Sequence, residues 1–77
     1  MTVNVKFFAS LRERVGKGDD SLPYQDGMTA LAVWKLATDN TPMPENTLCA
    51  INMEYVDQQQ TLADGDEVAF FPPVTGG

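Results

Sequence analysis

Residues 64–77 read DGDEVAFFPPVTGG. Asp64-Gly65 is a tight-turn pair, and the run from Asp66 to Phe71 that follows it alternates as a strand. Alternation puts Val68 and Phe70 on one face and Glu67, Ala69 and Phe71 on the other, so the two adjacent phenylalanines cannot both be core. Pro72-Pro73 then stops any ladder, because neither residue has an N–H to donate, and favours an extended polyproline path. The expected division is a globular body, residues 1–71, and an extended tail, residues 72–77.

From Pro72 through Val74 and Thr75 to Gly77 a nearly extended chain reaches roughly 20 Å, at about 3.1–3.5 Å per residue. Gly76 and Gly77 have no Cβ, so this end fits a channel too narrow for side chains, and the terminal carboxylate is the reactive group at its tip. A carboxylate is inert as an acyl donor until it is activated, for example as an acyl-adenylate. A nitrogen, oxygen or sulfur nucleophile can then displace AMP, and sulfur would leave a thiocarboxylate.

Upstream, Thr2 to Phe8 alternates as a strand with Val3, Val5 and Phe7 on one face, while Phe8 interrupts the polar face as either a core-curling end residue or an exposed apolar spot. Ser10-Leu11-Arg12-Glu13 matches a capping box for one or two helical turns that leave through Gly16. Ser21 to Tyr24 suits only a short edge strand because of Pro23. A second helix is expected from an Asp26 or Gly27 cap through Ala37. Met28, Leu31, Ala32 and Leu36 fall on one side of it, and Ala30, Val33, Trp34 and Ala37 on the other. Both sides are apolar, so the sequence leaves open which faces the sheet; a partly exposed Trp34 that is simply tolerated is the ordinary expectation. Leu48 to Val56 reads as a strand broken near Glu54 into a hairpin, with Cys49 as a buried structural thiol. Strand, short helix, strand, helix, strands and final strand make an α+β mixed sheet covered on one face by a main helix.

The 77 residues make one domain and carry eleven acids against five bases, a net charge of −6. That balance disfavours nucleic-acid phosphates and anionic membrane, and makes a basic protein partner the expectation. There is no histidine and only one cysteine, which removes the usual general base, the usual zinc ligand and an internal disulfide; no metal site is expected. The alternating N-terminus is no signal-peptide core and no apolar run approaches spanning length, so a cytoplasmic chain that is no enzyme on its own is expected.

Residues 62–77, LADGDEVAFFPPVTGG, resemble the closing segment of the molybdopterin synthase small subunit family, the ubiquitin-like sulfur carriers. Val5-Lys6-Phe7-Phe8-Ala9, Leu11-Arg12-Glu13 and Ala50-Ile51-Asn52 are also similar to that family, while residues 17–45 carry little of the likeness. The resemblance implies a β-grasp fold with adjacent, parallel first and last strands. It brings Phe8 and Phe71 side by side near the root of the tail, with Tyr55 as a third member of a partner interface. It also implies that an ATP-dependent adenylyltransferase, similar to ubiquitin-activating enzymes, adenylates Gly77, and that a cysteine desulfurase or rhodanese-like protein supplies sulfur to form the thiocarboxylate. The tail, Pro72 to Gly77, would then enter the large subunit of the synthase, in a heterotetramer, where large-subunit groups including a lysine act on a cyclic pterin precursor. No cofactor is expected on this chain, ATP being used by the activating enzyme. Rival expectations are a sulfur carrier for thiamine or tRNA thiolation, a ubiquitin-like protein modifier, and a plain interaction domain.

Overall fold

The computed structural model describes residues 1–73 and contains seven elements: β1 (Thr2–Phe7), α1 (Ser10–Val15), β2 (Asp19–Pro23), α2 (Ala30–Ala37), β3 (Leu48–Ile51), β4 (Glu54–Val56) and β5 (Glu67–Phe71). The five strands form one sheet in the order β2-β1-β5-β3-β4. β1 and β5 are parallel neighbours in which Val5 pairs with Val68 and Phe7 with Phe70, and every other pairing is antiparallel. The end strand of the sequence is thus the middle strand of the sheet.

Alternation along β1 and β5 sorts the faces. Val3, Val5, Phe7, Val68 and Phe70 point to the α2 side and are buried. Cys49 and Ile51 of β3 pair with Phe70 and Val68 and lie on the same side. From the helix, Ala30, Val33, Trp34 and Ala37 complete the core, whereas Leu36 is 55% exposed. This settles the choice between the two helix faces and corrects the expectation of a partly exposed tryptophan: Trp34 is fully buried. Its ring stands edge-on to Phe7 (5.6 Å) and Phe70 (5.1 Å), and its Nε1–H donates to the Thr41 carbonyl at 2.7 Å. The indole can be buried completely because its single polar atom is satisfied.

Two local readings of the sequence are corrected. Ser10 is the first residue of α1 and not its cap. The Phe8 and Ala9 carbonyls accept from the Leu11 and Arg12 N–H groups at 3.1 Å each, Ala9 turns the chain at φ 54°, and no side chain caps the helix. Phe8 N–H is the last ladder bond, to the Phe70 carbonyl, and the turn at Ala9 directly after it starts the helix one residue too early for Ser10 to cap.

The cap of α2 is Thr29, whose Oγ1 accepts from Ala32 N–H at 3.2 Å, and not Asp26 or Gly27. Leu62 N–H donates to the Met28 carbonyl, and Thr29, which is extended, bridges to Thr61, so the long-range pairing holds residues 28 and 29 out of the helix. The β3–β4 hairpin, expected to break near Glu54, does so and turns at Asn52-Met53; both residues have positive φ, 50° and 71°, the pattern of a tight type I′ connection. Glu54 is the first residue of β4 and pairs with Ile51.

Other expectations hold. Gly16 leaves α1 at φ 90°, with its N–H on the Arg12 carbonyl. Gly65 takes φ 87° in the turn before β5, where a side chain would be strained. β2 is an edge strand, though it begins at Asp19, and Pro23 stands at its end opposite Thr2.

Candidate functional site: an aromatic step at the root of the tail

The sheet face away from α2 carries Thr2, Asn4 and Lys6 of β1, and Glu67, Ala69 and Phe71 of β5. In register with the last two come Ala50 and Leu48 of β3, and Tyr55 of β4 follows opposite Ala50. Small residues in the middle of this face leave room above the backbone, and the larger ones stand around them.

Phe8 and Phe71 are stacked, with ring centroids 4.7 Å apart and planes 6° from parallel. Tyr55 meets Phe71 edge-on at 6.1 Å. The three expected partner-interface residues are therefore brought together. Phe8 is 40% exposed and Tyr55 70%, which resolves Phe8 as a surface aromatic, and Phe71 is half-buried between them. Next to this step lies an apolar groove of about 250 Å³, floored by Ala50 and Ala69, walled by Phe8, Phe71, Tyr55 and Met53, and bordered by Glu67. An exposed group of neighbouring aromatics of this kind is an apolar surface patch rather than a scatter of single apolar residues.

Phe71 is both the last residue of the central strand and a wall of the groove. Whatever follows it starts from this patch. Pro72 and Pro73 are half-buried and outside regular structure, so the ladder ends where proline chemistry requires. Val74, Thr75, Gly76 and Gly77 lie outside the described residues.

Cys49 is 3% exposed on the core side. Burial, reinforced by the negative charge of Asp57, pushes its thiol up to about 11 from the ordinary 9.0. A thiol held protonated in this way is a poor nucleophile, and it packs as a small core residue. The other marked electrostatic feature is on the β2 edge, where the Lys17 ammonium bonds the Asp20 carboxylate at 2.6 Å and lowers its pKa. Among the described residues no three histidine, cysteine or carboxylate side chains converge as a metal site, and no helix is long and apolar enough to cross a membrane.

Three residues of the groove escaped sequence reasoning. Ala50 and Ala69 pair across β3 and β5 as its floor, and Met53, 91% exposed, stands at its rim. The signal for Met53 was a two-residue connection between strands; a break read only as near Glu54 did not single it out.

A five-stranded mixed sheet, with adjacent parallel first and last strands and one helix packed across a single face, defines the ubiquitin-like β-grasp class. The pattern of the ThiS family matches residues 5–77, and the chain belongs to that family. It is 40% identical over 85 residues to the molybdopterin synthase sulfur carrier subunit of Escherichia coli (strain K12), covering 97% of this chain and 99% of that protein. Among solved structures it is similar to SAMP1 of Haloferax volcanii, at 25% identity and TM-score 0.78 over the full length of both chains. At 23% identity, TM-score 0.65 and full coverage of both, it shares its fold with a chain of a complex of subunits 1 and 2 of molybdopterin-converting factor from Helicobacter pylori.

Proposed function

We propose that this chain is the sulfur carrier subunit of a molybdopterin synthase, the non-catalytic member of a two-subunit sulfurtransferase. The observation that carries this reading is the end-to-end likeness to the Escherichia coli sulfur carrier subunit. The chemistry available to the chain agrees with it: a side-chain-free Gly76-Gly77 end, no histidine and a cysteine held protonated.

In this reading an activating enzyme uses ATP to adenylate the Gly77 carboxylate, and a sulfur nucleophile displaces AMP to leave a thiocarboxylate. The aromatic step then docks on the synthase large subunit, so that Pro72 to Gly77 is directed into the large subunit's active site. Sulfur passes there to the pterin precursor, and successive carriers supply the two sulfurs of the dithiolene. The Helicobacter pylori complex of subunits 1 and 2 supports the large subunit as partner. The carrier contributes position and a reactive terminal atom, and the acid-base work belongs to the large subunit.

The test is the intact mass of the chain after incubation with ATP, a molybdopterin-pathway activating enzyme and a sulfide source. A gain equal to sulfur replacing oxygen, located by fragmentation at Gly77, is expected. Deleting Gly77 should abolish sulfur transfer and leave the melting transition in place. A truncated chain that still supports molybdopterin formation would refute the proposal.

A second reading, a modifier joined to lysines through Gly77, is favoured by the likeness to SAMP1, a small archaeal modifier protein. It predicts ATP-dependent conjugates of this chain that persist on a denaturing gel.

A further inference from the structure

Met53 occupies a position the fold does not favour for it. It is the second residue of a two-residue hairpin connection, at φ 71°, where glycine is the residue usually preferred after asparagine. A long side chain at positive φ is strained. The side chain is 91% exposed, so burial returns nothing for that strain.

The turn is nevertheless held firmly. Asn52 N–H donates to the Glu67 carbonyl at 2.8 Å, Asn52 Oδ1 accepts from Glu67 N–H at 3.1 Å, and Asn52 Nδ2 donates to Asp66 Oδ1 at 2.9 Å. These bonds fix the connection to the start of β5, and Met53 rises from it at the rim of the groove, across from the Phe8–Phe71 stack. A strained residue whose surroundings over-determine it is a common mark of a binding site.

We propose that Met53 is an additional docking residue of the carrier: its thioether extends the aromatic step to the far end of the groove and closes over apolar side chains of the synthase large subunit. This rests on the sulfur-carrier reading above. Methionine suits the task, because its unbranched, polarizable chain fits irregular apolar surfaces. Glu67 is the charged residue bordering the groove and the chain carries a net −6, so the complementary surface is apolar at its centre with a lysine or arginine opposite Glu67.

The experiment is a calorimetric titration of the synthase large subunit with the full chain and with Met53→Gly, Met53→Asn and Met53→Leu, alongside their melting curves. Glycine and asparagine both suit the left-handed turn, so both variants should melt at or above the wild-type temperature. Both should bind roughly tenfold more weakly, the loss typical of truncating an interface anchor. Leucine, which keeps the apolar bulk, should stay close to wild type. Glycine and asparagine variants that bind like wild type would overturn the proposal. So would a fall in melting temperature in both that tracks the loss of affinity, since Met53 would then be a folding residue. Phe71→Ala serves as the control: if it weakens binding and the Met53 variants do not, only this inference fails. If the wild-type chain itself does not bind the large subunit, the sulfur-carrier reading fails with it.

Discussion

Replacing Phe71 and Phe70 by alanine, one at a time, should separate docking from folding at two consecutive positions. Phe70 is fully buried between Phe7 and Trp34, and truncating a buried phenylalanine costs about 3–5 kcal/mol. A domain of 77 residues has a total stability of about 4–12 kcal/mol at the usual per-residue value, so Phe70→Ala should remove a large share of it. Phe71 is half-buried on the opposite face and loses chiefly its stack on Phe8, together about 1–2 kcal/mol. In the complex it would sit at the interface centre, where truncation of an aromatic anchor costs about 2 kcal/mol or more, close to thirtyfold in affinity. Urea denaturation measures the first quantity and calorimetric titration of the large subunit the second. A Phe71→Ala chain that loses 3 kcal/mol of stability yet binds normally would show Phe71 to be a core residue and refute the division of the sheet into a folding face and a docking face.

Thr29→Ala removes the one side-chain cap of α2 and should lower stability by about 1 kcal/mol in urea denaturation; no measurable change would place the start of the helix elsewhere. Cys49 should resist thiol reagents at pH 8 in the native chain and react readily once the chain is denatured. Because folding raises its pKa from 9.0 to about 11, native stability from this group is intact below pH 9 and is lost as pH rises through about 11. Rapid native-state modification at pH 8 would contradict that placement.

Much of the sheet was legible because β1 and β5 each keep one apolar and one mixed face, and a period of two leaves no freedom to Phe70 and Phe71. The parallel pairing of those strands was not legible from alternation, and only the family resemblance suggested it. Helix α2 hid its orientation because Leu31, Ala32 and Leu36 are as apolar as the residues that became core. Its start was misplaced because Met28 and Thr29 are claimed by residues 61 and 62, a contact that no local pattern encodes. At α1, Ser10 carried the chemistry of a cap, but the Phe8–Phe70 hydrogen bond fixed where the chain could leave the sheet. The Phe8, Tyr55 and Phe71 cluster could be named from sequence, yet its floor required knowing which residues of β3 and β5 stand opposite each other.

The central place of β5 has a consequence for biosynthesis. Until Phe71 has been translated, β1–β2 and β3–β4 are two separate strand pairs with no strand between them, and isolated two-stranded pairs are marginal in water. Nascent or prematurely terminated chains would therefore stay unfolded and open to proteolysis. A folded molecule is one that has been synthesised at least as far as the root of its tail, so the order of strands acts as a check on the length of the product before any partner meets it.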